Sequence, residues 1–250
     1  MHRLLLLASL IATTLPAAAE PINARLYKST YGYMPGCHAC HGDGGGSPLN
    51  AYGRAFDAAG AGAGAFAAIA EADSDGDGFA NGAEAKAKAN PGDGDSIPGD
   101  AGDWLALNNL IPAEVQQAFP EVRLYKPIDA LLTQAEIERA AAWGVTLAAR
   151  DENTIYVPVQ DRRPIGTALI VAGGEGEERF YLLLLTDRAL ALTGVQPVSG
   201  PLPPAGDAAY ARYVGATPEA FPATEDAAAA ALAAAIQRGL ALIHVRLKSS

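Results

Sequence analysis

Apolar side chains return along this chain with two different rhythms. Between residues 23 and 89 they recur every three or four positions in short bursts. Beyond residue 150 they gather into short runs bounded by turn residues. The first rhythm predicts helices. One covers 23–33 with Leu26 and Tyr27 and is stopped by Pro35-Gly36. Another covers 49–59 with Leu49, Tyr52 and Phe56 on one face. Two shorter pieces, 65–72 and 83–89, flank an acidic loop. Residues 92–102, rich in glycine, proline and aspartate, read as a boundary. After it, 112–119 reads as a short helix with proline in its first turn. Thr133-Gln134-Ala135-Glu136 is a capping box opening a helix to Trp143, with Gly144 as its stop. Strands are predicted over 154–159, 166–172, 179–185 and 189–195, with Gly173-Gly174-Glu175-Gly176 as a hairpin loop. A proline-rich connection over 196–206 leads to an alanine-rich helix over 226–240 and an apolar end to Leu247. Helix, antiparallel strands, helix is an α+β order. The expected division is a leader over 1–19, a small mostly helical module over 20–110, and an α+β domain with an antiparallel sheet over 111–250.

The leader changes the picture first. His2-Arg3 is followed by an apolar stretch from Leu4 to Leu15 and by Ala17-Ala18-Ala19, the pattern of a secretory signal peptide. The apolar stretch is short for a bilayer span. No later segment reads as a span, so no transmembrane segment is expected once the signal is removed, and a periplasmic location follows. The chain carries a formal net charge of −10. That argues against nucleic acid and anionic membranes as partners and suits docking onto a basic redox protein.

The only two cysteines lie in Cys37-His38-Ala39-Cys40-His41. C-x-x-C-H is the spacing of c-type haem attachment: two thiols add to the vinyl groups and the next histidine ligates the iron. A redox dithiol, a zinc half-site and a plain disulfide are the other uses of C-x-x-C. Zinc would require two further soft ligands, and no second cysteine pair exists. The distal iron ligand is open between Met34, His244 and Lys86, or a water-bound position that would admit small ligands. His38 lies inside the attachment loop and is poorly placed.

Residues 73–84, Asp-Ser-Asp-Gly-Asp-Gly-Phe-Ala-Asn-Gly-Ala-Glu, match the twelve positions of an EF-hand calcium loop. Asp73, Asp75 and Asp77 take positions 1, 3 and 5. Gly78 makes the position-6 turn, Phe79 offers its carbonyl, Asn81 stands at position 9 and Glu84 closes the site. Alternating acids at this spacing converge on a hard cation, whereas without one they repel. Calcium in an exported protein would act as a staple.

With Tyr31-Gly32-Tyr33 before the motif and Ser47-Pro48-Leu49-Asn50-Ala51-Tyr52-Gly53-Arg54 after it, the first third resembles small exported bacterial monohaem c-type cytochromes. The later part, from Phe119-Pro120-Glu121 through the strands to the last helix, resembles periplasmic FMN-binding domains. In that family a hydroxyl-Gly-Ala-Thr segment holds FMN through its threonine, which would make Thr217 of Val214-Gly215-Ala216-Thr217 the flavin-bearing residue. Val214 departs from the family pattern, which favours a relative without flavin that serves in docking or dimerisation. Together the resemblances imply an electron-transfer protein with haem c and calcium. A flavin-haem oxidoreductase, a small-ligand haem enzyme and a haem-based sensor are the alternatives. No hydrolase constellation or phosphate-cradling loop is visible.

Overall fold

The computed structural model describes residues 21–42, 48–175, 178–224 and 226–248. The leader over 1–19, Ser47 and most of the glycine-rich turn after the cysteine motif lie outside the described residues. The chain forms a mixed α+β fold with several helices and an antiparallel sheet. Among the described residues four helices come first: α1 (Pro21–Tyr31), α2 (Ala51–Ala58), α3 (Ala63–Ala68) and α4 (Asn81–Ala87). They enclose an aromatic core of Tyr27, Tyr52, Phe56, Phe66 and Ile69. The Phe56 and Phe66 rings are 4.5 Å apart, and Tyr27 meets Phe66 edge-on at 5.6 Å. A short chain of hydrogen bonds ties this core to α4. Tyr33 donates to the Ala85 carbonyl at 2.8 Å, which leaves the Tyr27 hydroxyl as donor to Tyr33 at 2.9 Å.

After α5 (Ala113–Ala118) come β1 (Leu124–Ala130), α6 (Gln134–Ala141), β2 (Asn153–Gln160), β3 (Arg163–Pro164), β4 (Thr167–Gly173), β5 (Phe180–Thr186), β6 (Leu192–Ser199), α7 (Ala208–Ala211) and α8 (Ala227–Leu247). The sheet order is β1-β2-β4-β5-β6, with β3 paired to β2, and every pairing is antiparallel. Helices α6 and α8 cover one face, where Ile155, Val157, Leu169, Val171, Leu182 and Leu184 meet Ile236, Leu240 and Ile243. The other face carries Tyr125, Ala168 and Leu183 beneath Ile111, Val115 and Val122, with Tyr156, Ile170 and Leu185 at its margin. Because both faces are covered, β5 reads Leu182-Leu183-Leu184-Leu185 without alternation.

The capping box is present: Thr133 Oγ1 accepts from Glu136 N, and Glu136 accepts in return from Thr133 N. Gly144 takes φ +74° after α6. Strand β1 escaped the sequence reading because Lys126, Pro127 and Asp129 interrupt its apolar alternation. An edge strand tolerates such residues. The late helix is also longer than expected. It runs unbroken through the apolar residues after Leu240, so its stretch 229–247 has the length and apolarity of a membrane span. That differs from the expectation that no segment after the leader is long and apolar enough to span. The stretch is mostly buried and forms the core helix against the sheet. Where Gly239 crosses the sheet, an added Cβ would lie 2.4 Å from Leu184 Cδ1 and 2.7 Å from Val171 Cγ1. Gly239→Ala is therefore expected to lower stability by about 1–3 kcal/mol in a denaturant melt, overriding alanine's better helix propensity.

The two halves meet along α1 and β2. Arg25 Nη1 pairs with Glu152 at 3.0 Å and its Nη2 donates to the Asn153 carbonyl at 2.9 Å. The Glu152 carboxylate also accepts from Leu132 N at 2.9 Å. The stretch 92–102 is packed rather than extended. Ser96 is buried, accepts from Asn90 N and donates to the Ala101 carbonyl. Just beyond, Trp104 Nε1 donates to the Lys88 carbonyl.

Candidate functional site

Cys37–Ala39 form one turn of 3₁₀ helix entered from Gly36 in extended conformation. The Cys37 carbonyl accepts from Cys40 N at 3.2 Å and from His41 N at 3.0 Å. The chain thus coils once and delivers two thiols and an imidazole within five residues. The two sulfurs are not joined in a disulfide. Both cysteines are half-buried, and His41 is buried. Burial, reinforced by the neighbouring Cys37, pushes the Cys40 thiol up to about 12. A thiol that keeps its proton at neutral pH is a poor partner for dithiol exchange, which depends on a lowered pKa.

Close backbone packing holds this turn. Gly53 of α2 lies directly on it: a Cβ there would be 2.1 Å from the Cys40 carbonyl oxygen. On the other side, a Cβ on Gly36 would be 3.1 Å from the Trp104 carbonyl oxygen. Asn50 N donates to Cys40 O at 2.9 Å. The Asn50 side chain does more. Its Oδ1 caps α2 by accepting from Gly53 N at 2.8 Å, and its Nδ2 donates to the carbonyls of His38 (3.0 Å) and Ala39 (3.1 Å). Asn90 Nδ2 adds a longer bond to His38 O at 3.4 Å. Tyr156 of β2 faces the turn from the sheet. Burial raises its phenol, and the proximity of Cys37, Asp129 and Glu114 adds to this. Glu114 Oε2 is itself buried without a hydrogen-bond partner, and burial raises that carboxyl as well. Asn90, Tyr156 and Glu114 were not picked out from sequence, since nothing in their local spacing marks them; Asn50 stood in the 47–54 stretch without an assigned role.

The acidic loop is held by hydrogen bonds from its own backbone to its carboxylates. Asp73 accepts from Gly76 N (2.8 Å) and Gly78 N (2.9 Å), Asp75 from Asp77 N (3.3 Å), and Asp77 from Phe79 N (2.7 Å). Gly76 and Gly78 take φ +87° and +94° to make the bend. Ligand oxygens of Asp73, Asp75 and Asp77 lie within 4.8 Å of one another. The second oxygens of Asp75 and Asp77 and both oxygens of Glu84 are buried without hydrogen-bond partners. Glu84 is 0% exposed, and burial first, then the charges of Asp75, Asp77 and Asp73, raise its pKa to about 8. Buried carboxylate oxygens that face other carboxylates and no donor are what a hard cation would satisfy. Asn81 differs from the sequence reading. Its Oδ1 accepts from Ser74 N at 3.1 Å and its Nδ2 donates to Ile69 O at 2.8 Å, so the amide clamps the loop's two ends.

Among the remaining predicted residues, His244 is placed away from the turn. His244 is a buried residue of α8. Its Nε2 is hydrogen-bonded to Leu190 O at 2.9 Å, and Trp143 meets its ring edge-on. The α8 core covers the sheet face opposite Tyr156. Lys86 is exposed on α4, and Met34 is half-buried in the segment leading into the turn. Thr217 sits in a turn whose Ala220 N donates to its hydroxyl, beside the start of β6, where Gly215 and Ala216 pair with Leu192. A cleft of about 540 Å³ opens at the other end of these strands, against Ala231, Ala234 and Arg238 of α8, and Thr217 does not line it.

Comparison of the chain with protein-family models, curated proteins and solved structures finds no match.

Proposed function

We propose that this chain is an exported electron carrier with one haem attached through Cys37 and Cys40 and a calcium ion in the 73–84 loop. One observation carries the reading: a single 3₁₀ turn brings Cys37, Cys40 and the buried His41 together within five residues. When bound, the haem supplies a one-electron couple. The chain's own residues do the rest. Cys37 and Cys40 tether, and His41 offers a ring nitrogen to the iron. The backbone contact at Gly53 fixes the turn, and Asn50 holds its last carbonyls. Tyr156 and Glu114 bring the sheet's covered face to the same place and limit water there. Asp73, Asp75, Asp77, the Phe79 carbonyl and Glu84 are the calcium ligands, and Asn81 keeps the loop closed. The net charge of −10 suits basic redox proteins as partners.

The test is an absorption spectrum, oxidised and reduced, with an intact mass, on protein from a host competent in c-type maturation. The expected result is the reduced spectrum of a c-type haem and a mass of the processed chain plus one haem. Colourless protein with the mass of the bare processed chain overturns the proposal.

A further inference from the structure

The last three carbonyls of the cysteine turn, those of His38, Ala39 and Cys40, are met from outside it by Asn50 and Asn90. Asn90 is 1% exposed and belongs to the strap that leaves α4. Helix α4 begins in the acidic loop, carries Glu84, and ends at Lys88 in the left-handed region (φ 64°). Ala89 N then returns to Glu84 O at 2.9 Å. At Asn90 the strap reaches His38. At Gly92 it touches the Asn50 amide, whose Nδ2 donates to Gly92 O at 3.4 Å, and there is no room for a side chain: a Cβ would lie 2.2 Å from Asn50 Nδ2 and 2.7 Å from Ala39 O. Two residues on, Gly94 returns to the acidic loop, its Cβ position 3.7 Å from Asp77 Cβ. Helix α4 is also tied ahead of the turn, through Tyr33 to the Ala85 carbonyl.

The same short helix therefore carries the residue that closes the acidic loop and the ties on both sides of the cysteine turn. We infer that Asn90 is a positioning residue that couples occupancy of the 73–84 loop to the geometry of the haem-bearing turn. The inference rests on the proposed reading of both sites. With a cation drawing Glu84 into the loop, α4 is held and Asn90 and Gly92 are pressed on the turn's carbonyls. Without it, the buried Glu84 carboxyl has no partner in the loop, α4 is no longer held there, and the Asn90–His38 bond, already long, is the first to open.

Holoprotein is to be followed by amide exchange of residues 37–41 and by haem midpoint potential, with calcium and after chelation. In the wild type, chelation is expected to reduce protection of the turn about tenfold, the effect of losing one or two hydrogen bonds, and to move the midpoint. Asn90→Asp keeps the acceptor for Gly92 N but removes the donor to His38 O. It is expected to retain the thermal shift on calcium addition while turn and midpoint cease to respond. Tyr33→Phe cuts the other tie and is expected to weaken the response, which serves if Asn90→Asp matures poorly. A calcium-dependent melting temperature with no change in turn protection or midpoint overturns the coupling and leaves both sites standing. A wild-type response in both variants overturns the route through α4. Absence of haem absorption, or of any calcium shift, identifies failure of the underlying reading, and the coupling falls with it.

Discussion

Gly53→Ala is expected to destabilise the helical half of the chain by about 3 kcal/mol or more and to abolish haem incorporation. The added methyl would stand 2.1 Å from the Cys40 carbonyl oxygen, 3.0 Å from its carbon and 2.9 Å from Leu49 Cδ2. Two of these atoms are backbone, so no side-chain rotation relieves the clash. The alternatives are to lift α2 from the turn, breaking the Asn50 bonds, or to distort the turn and separate the thiols. A change of equal size at Gly64 in α3, where nothing lies within 4 Å, is expected to be neutral or to stabilise by up to about 1 kcal/mol. Thermal melts with haem-to-protein ratios on both variants check the pair. A Gly53→Ala protein with wild-type melting temperature and a full haem complement would refute the packing argument.

Calcium is expected to raise the melting temperature of the wild type and leave that of Glu84→Gln nearly unmoved. At a free concentration a hundredfold above the dissociation constant, linkage gives about 2.7 kcal/mol, or roughly 5–10 °C for a chain of this size. The calcium-free protein should carry the opposite signature in pH. Glu84 releases its proton near its ordinary 4.5 in the unfolded chain but only at about 8 when folded. Between those values the folded state binds more protons, so wild-type stability in chelator is fullest below about pH 4.5 and falls as pH rises to about 8. The loss is on the order of a few kcal/mol. Glu84→Gln has no such proton to lose. Calcium-free at pH 8 it should melt above the calcium-free wild type, although calcium no longer helps it. Melts across pH 4.5–8.5 in chelator and in calcium decide this; a calcium-free wild type whose stability is flat or rising over that window would contradict the burial of Glu84.

The acidic loop was legible because its geometry is local. Carboxylates at alternate positions with glycines at the bend can fold only a few ways, and their oxygens meet within a dozen residues. The Thr133 capping box was legible for the same reason. Asn81 shows where that reasoning ends. Its place in the twelve-residue pattern suggested a cation ligand, yet the Ile69 carbonyl, twelve residues away, takes its amide. His244 is a similar case. As one of few histidines it offered an iron ligand, until α8 continued through it as one core helix and directed its ring to the Leu190 carbonyl.

Spacing and residue chemistry along the chain were enough to mark the thiol-imidazole turn, the acid loop, most helices and four of the strands, since each depends on neighbours a few positions apart. The edge strand β1, the continuous α8, and the placement of Tyr156 near Cys37 and Glu114 came from the folded molecule. So did the strap from α4 to the His38 carbonyl. Each of these is a contact between segments tens of residues apart, whose burial and hydrogen bonding exist only once the sheet, the helices and the turn are packed together.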